Sequence, residues 1–128
     1  MSDDNVTELR LVVTVDDFEA ALHVYRDVLG LRQVAEFEPP GRVVLLDAGR
    51  ATVELSDVEH AVHIDEVEVG RRVAGTLRVA LRTADVDATT DALTEAGLEL
   101  VASPRPTPWG SRNSRLVDAD GVQLTLFT

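Results

Sequence analysis

The chain has 128 residues, 45% of them hydrophobic and 27% charged, with a net charge of −11 and no cysteine. That is enough apolar material for one compact domain, and too acidic a balance for a protein that neutralises nucleic-acid phosphates. Without cysteine there is no disulfide framework, no thiolate nucleophile and no thiolate metal site; without lysine there is no Schiff-base chemistry and no P-loop lysine. No apolar run approaches the roughly 18 residues of a membrane helix. The opening MSDDNVTE is acidic and polar, unlike a signal or transit peptide. A cytoplasmic protein with neither membrane nor nucleic-acid partners is expected.

Residues 9–15, LRLVVTV, read as a strand, with Leu11, Val13 and Val15 on one face and Arg10, Val12 and Thr14 on the other. Asp16 and Glu19 stand three apart, the spacing of a capping box. Phe18, Ala21, Leu22, Tyr25, Val28 and Leu29 come next at helical spacing, and Gly30 stands where a left-handed C-terminal residue belongs. Strands are predicted over 31–38, 42–48 and 51–57, with turns at Pro39-Pro40-Gly41 and Gly49-Arg50. The acid-rich stretch 58–75 shows no clean period and reads as a solvated linker.

The pattern then restarts. Leu77 to Thr83 is strand-like, with Leu77, Val79 and Leu81 on one face and Arg78, Ala80 and Arg82 on the other. Asp85 caps a helix carrying Val86, Leu93 and Ala96, which Gly97 ends. A strand over 98–103, the loop PRPTPWG, and a hairpin of 111–118 and 122–127 complete the chain. The two halves match at both ends: LRLVVTVDDFEA with LRVALRTADVDA, and LLDAGRATVEL with LVDADGVQLTL.

Each half is therefore a βαβββ module: 9–57 and 76–128, joined by 58–75, in a single domain over 1–128. One such unit leaves a sheet face open and cannot bury enough surface alone. Two units set side by side give an α+β fold, a curved, cup-like mixed sheet with its helices outside. Residues opposite the helices then line the cup.

The doubled module, the VDDFEAALHVYRDVLGL segment and the PWGSR…DADG…L ending resemble the vicinal oxygen chelate superfamily, the group of glyoxalase I, the extradiol dioxygenases and the bleomycin-resistance proteins. The resemblance spans 9–127 and implies the cup fold without choosing a function, because the fold hosts lyases, isomerases, oxygenases and drug binders. It also implies a homodimer. Metal-using members carry four inward positions, usually His or Glu. By the same resemblance those positions hold Arg10, Glu54, Arg78 and Thr125 here.

One carboxylate is far short of the three protein ligands a catalytic zinc normally has. Arginine stays protonated in proteins. A divalent ion about 4 Å from one guanidinium is repelled by roughly 8 kcal/mol at an effective dielectric near 20. No metal and no cofactor are therefore expected. The bland reading pairs Arg10 or Arg78 with Glu54 and fills the cup. The sharper one gives the arginines a ligand's oxyanion and makes Glu54 a general base.

His60 and His63, in EHAVHID, are expected in the linker, outside the cup and without a third metal ligand; His23 is expected to be exposed. Trp109 either stacks on a flat ligand or plugs its loop. The aspartates of DADG are turn formers. Together these residues point to a metal-independent protein binding a small organic ligand among Arg10, Thr14, Glu54, Arg78, Arg82, Trp109, Gln123 and Thr125. The alternatives are a glyoxalase- or dioxygenase-like enzyme with an atypical metal site, a metal-free isomerase or lyase using Glu54, and a fold relic acting through protein contacts.

Overall fold

The computed structural model describes residues 5–128. β1 (Val6–Val15) leads into α1 (Phe18–Leu22), which a π-helical turn over His23–Val28 continues. β2 (Arg32–Phe37), β3 (Val43–Ala48) and β4 (Ala51–Asp57) form a meander. α2 (Val58–Glu68) comes next, then β5 (Leu77–Thr83), α3 (Val86–Glu95), β6 (Glu99–Pro106), β7 (Arg112–Val117) and β8 (Gln123–Phe127). The strands make one curved, unclosed sheet in the order β2-β3-β4-β1-β5-β8-β7-β6.

Within each half the first strand runs parallel to the last, β1 with β4 and β5 with β8. The halves join where β1 and β5 pair antiparallel, with Leu11 opposite Val79 and Val12 opposite Arg78. The cup is thus assembled within one chain.

Side-chain alternation sorts the two faces as expected. Val13, Val44, Leu46 and Leu55 pack under Phe18 and Leu22 of α1, and Leu116 and Leu126 pack under Val86 of α3. Val12, Ala80 and Phe127 form a separate small cluster on the opposite face.

Three local expectations are corrected. Asp17, not Asp16, caps α1, its Oδ1 accepting from the Ala20 N–H at 3.0 Å; Glu19 instead pairs with Arg42. The first helix is α-helical only as far as Leu22. In the wider turn beyond it, the Leu29 N–H reaches back to Val24 O. Each residue added to a turn rotates the later side chains by about 100° around the axis. Val28 and Leu29, which the helical spacing placed with the core, are consequently exposed.

Most consequentially, the stretch between the modules is not a solvated linker. Its first part is an eleven-residue helix, α2, capped by Asp57, whose side chain accepts from the His60 N–H at 2.9 Å. Ala61, Ile64, Asp65 and Glu68 are its buried residues. Their spacing is that of one helical face, but half of that face is acidic.

Candidate functional site

The site lies on the sheet face opposite α1 and α3. The strand register sets its rows: Glu54 and Arg78 flank Val12, while Arg10 and Ala80 are neighbours with Thr125 next to Ala80. Strands two apart in a sheet are about 10 Å apart. Only long side chains reaching over a short one close that distance. Val12 and Ala80, both buried, supply the low ground. Over Val12 Arg78 Nη2 approaches Glu54 Oε2 to 3.6 Å, and from the adjacent strand Arg10 Nη1 approaches Glu54 Oε1 to 3.6 Å.

Glu54 is therefore held between two guanidiniums, each just beyond hydrogen-bond reach. Its side chain keeps 13% exposure. Arg78 is almost wholly buried and donates from Nη1 to Thr125 Oγ1 at 2.8 Å. Arg10 donates to Glu8 at 2.7 Å, and Glu8 also accepts from Arg82 at 3.1 Å and Thr52 at 2.8 Å. Burial alone would raise the Glu8 carboxyl; the bonds from Arg10, Thr52 and Arg82 outweigh it and hold the group below its usual 4.5. Arg10 and Arg82 also lie over the Phe127 ring, each 4.8 Å from its centroid.

The other half of the floor is a closed network delivered by α2. Glu68 Oε1 accepts from Arg115 Nη2 at 2.8 Å and from Thr125 Oγ1 at 2.9 Å, and Oε2 accepts from Asn113 at 2.9 Å. Arg115 also donates to Asp65 at 2.8 Å. Asp65 is fixed from its other side by Arg72 and by the Val73 and Ala74 N–H groups. Five guanidiniums, of Arg10, Arg72, Arg78, Arg82 and Arg115, thus meet four carboxylates, of Glu8, Glu54, Asp65 and Glu68.

Above this floor is a cavity of about 480 Å³. Its walls are Phe37, Pro39 and Pro40 from the β2–β3 turn, His60, His63 and Ile64 from α2, and Trp109 from the β6–β7 loop. The His63 and Trp109 rings are tilted together with centroids 6.2 Å apart, and His60 stands 6.0 Å from His63. His60 Nδ1 lies 3.2 Å from the Pro40 carbonyl oxygen. A carbonyl only accepts, so Nδ1 carries the proton and Nε2 bears the lone pair. Burial lowers the His60 pKa below its usual 6.5, against the pull of the Pro40 carbonyl and Glu54.

Of the residues singled out in the sequence, Arg10, Glu54, Arg78, Arg82, Trp109 and Thr125 line this cavity. Thr14 and Gln123 do not. Thr14 bonds through its N–H to Thr76 O near the strand end, and Gln123 is occupied by Arg115. His60 and His63, expected outside the cup, form part of its wall, because the segment carrying them is a helix laid against it. His23 is exposed as expected. Asp118 turns the last hairpin, accepting from the Asp120 and Val122 N–H groups at 2.9 Å each. Sequence reasoning missed Asp65, Glu68, Asn113 and Arg115.

The donor set does not suit the metal that the resemblance implies. At the four inward positions stand two cations, a hydroxyl and one carboxylate, and a metal ion at that carboxylate would face both cations, each 3.6 Å from it. Among the described residues no group of three or more His, Asp or Glu is placed to hold a metal ion.

The model of the family described as "Glyoxalase/Bleomycin resistance protein/Dioxygenase superfamily" matches residues 9–126. No curated protein sequence matches the chain. Among solved structures, methylmalonyl-CoA epimerase from Mycobacterium tuberculosis is similar at 27% identity, with a TM-score of 0.69 over 99% of this chain and 91% of its own. A hypothetical protein from Bacillus halodurans C-125 is similar in fold at 17% identity, with a TM-score of 0.72 over 98% and 94%. A glyoxalase/bleomycin resistance protein/dioxygenase superfamily member from Vibrio splendidus 12B01 is similar in fold at 13% identity, with a TM-score of 0.66 over 94% and 97%.

Proposed function

The chain belongs to the glyoxalase/bleomycin resistance protein/dioxygenase superfamily, and on that premise we propose that it is a metal-independent protein that binds a small organic molecule in its cup. The observation that carries this reading is Glu54 held between Arg10 and Arg78 at 3.6 Å each, beneath a cavity of about 480 Å³. That volume falls in the range of pockets that enclose small organic ligands. Fixed positive charge takes the place of cation ligands, and the apolar walls supply most of the contact.

Trp109, the only tryptophan, is 47% exposed at the cavity and reports occupancy directly. A library of small organic compounds titrated while monitoring Trp109 emission should return saturable binders whose affinity is the same with and without a chelator. A library without binders, or binders lost on chelation, would overturn the reading.

A second reading is supported by Glu54 itself. Among the described residues nothing donates a hydrogen bond to its carboxylate, which leaves it available as a proton acceptor in a metal-free isomerase or lyase. Likeness to methylmalonyl-CoA epimerase, whose name denotes inversion at a carbon centre, adds weight. Turnover of any bound compound that Glu54→Gln abolishes while binding persists would select it.

The proposal includes a homodimer. Leu9, Leu11 and Leu77 are exposed on the helix side of the sheet, where β1 and β5 meet. A second copy would cover them. It also places the protein in the cytoplasm, on the absence of cysteine. Among the described residues no helix is long and apolar enough to cross a membrane.

A further inference from the structure

We propose that the ligand's polar head is an uncharged amide-type edge on a flat ring, a lactam presenting an N–H beside a C=O. This rests on the small-molecule-binding reading and names the ligand class for that site.

The polar groups of the cup divide into those bonded within the protein and those left open to the cavity. In the Glu68–Arg115 network beside α2 the donors and acceptors are spent within the protein, the His60 Nε2 and the His63 ring on the wall excepted. Glu68 accepts from Arg115, Thr125 and Asn113; Asn113 Oδ1 accepts from Ser111 Oγ at 2.6 Å; Thr125 is bonded to Arg78, Arg115 and Glu68. On the Glu54 side they are not. The Glu54 carboxylate accepts no hydrogen bond among the described residues, and its nearest cations stop at 3.6 Å. Arg78 uses Nη1 on Thr125 and keeps Nη2 toward Glu54; Arg10 uses Nε and Nη2 on Glu8 and keeps Nη1 toward Glu54. The site thus offers one strong acceptor side by side with two strong donors, all at the cavity.

Charge then chooses among ligands. A carboxylate facing Arg10 and Arg78 is forced beside the Glu54 charge that already lies between them. A cation facing Glu54 meets two guanidiniums that cannot lose their protons. A neutral head suffers neither repulsion, and with a donor next to an acceptor it uses both sets at once, N–H to Glu54 and C=O to Arg78 or Arg10. The flat ring is implied by the rest of the cavity, where Trp109, His63, Phe37 and Phe127 present ring faces or edges.

The test uses three probes of one ring size: a quinolinone (neutral lactam), a naphthoate (anion) and a naphthamidine (cation). Each is titrated calorimetrically into the full chain. The expected ranking has the quinolinone about tenfold or more tighter than either ion. In Glu54→Gln, which removes the charge opposing an anion, naphthoate should gain about tenfold and close most of the gap to the quinolinone. A charged probe binding wild-type protein most tightly overturns the lactam class and leaves the small-molecule reading standing. Failure of all three to bind also overturns the lactam class, while the binding reading itself falls only if the broad Trp109 screen is empty. If Glu54→Gln does not fold, the wild-type ranking decides alone.

Discussion

Glu68 and Arg115 join α2 to the sheet. Arg115 donates to Glu68 Oε1 from Nη2 at 2.8 Å and from Nε at 3.1 Å, and the two side chains are 2% and 0% exposed. This pair holds α2 where it walls the cup. A buried pair is weak evidence of net stability, but losing one partner strands the other charge.

Glu68→Ala should therefore destabilise the fold by about 3 kcal/mol, because Arg115 keeps only Asp65 as a carboxylate partner and the buried Asn113 and Thr125 lose their acceptor. Glu66→Ala, on the exposed side of the same helix, should cost less than about 0.5 kcal/mol. Urea unfolding of the two variants checks the contrast; equal effects would mean that Arg115 does not depend on Glu68.

Stability should fall in two steps as pH drops. Burial lowers the His60 pKa below 6.5, so the unfolded chain takes up that proton first; the contribution is present above 6.5 and lost as pH falls through the folded value. Asp65 behaves the same way lower down. Burial alone would raise its pKa, but the Val73 and Ala74 N–H groups with Arg72 and Arg115 outweigh it and hold it below 3.8, so its contribution is present above 3.8 and lost beneath it. Thermal melting against pH should show both limbs. His60→Asn should remove the upper limb and leave the lower one; an unchanged upper limb would contradict the assignment.

Gly41 has φ +63°, and a Cβ there would collide with the Asp57 carboxylate and the His60 N–H, the cap of α2. Gly41→Ala should cost about 2 kcal/mol or more, combining backbone strain with loss of a cap. Hydrogen exchange should show the first turn of α2 opening before the sheet. Protection unchanged in α2 would show that the cap tolerates the side chain.

If the two guanidiniums are what keeps a cation out, replacing them should admit one. Arg10→His with Arg78→His would give three ligands with Glu54, the minimum set of a catalytic zinc. The double variant should bind about one zinc per chain where wild type binds none. Failure of a folded double variant to bind would show that geometry, not the arginines, excludes the metal.

Light scattering should report a dimer, and Leu11→Glu with Leu77→Glu should shift it to a monomer. A wild-type monomer, or a dimer indifferent to the two charges, would count against the β1–β5 face as the contact.

The cup's geometry was largely legible because strand alternation is unambiguous: Arg10, Glu54, Arg78, Arg82 and Thr125 all fall on the expected face. The cap of α1 was misplaced at Asp16 by the capping-box spacing, although the internal match aligns Asp17 with Asp85. α2 was not legible for a physical reason. Its inward face is Ala61, Ile64, Asp65 and Glu68, at helical spacing but half acidic, so no apolar stripe marks it. Arg72 lies just past the helix, but Arg115, the cation that both acids share, is 47 and 50 residues away, and only the folded register brings it beneath them. The π-helical turn left no mark in the spacing, because Val28 and Leu29 are apolar whichever way they face.

The proposed function rests on a cup that works without a metal. Its most direct test is native mass spectrometry of chelator-free protein, as purified and again after incubation with zinc, nickel, manganese and ferrous iron. Wild-type protein should show a metal-free mass in every case, whatever its oligomeric state, with the Arg10→His, Arg78→His variant alone gaining an ion. One metal per wild-type chain would contradict it.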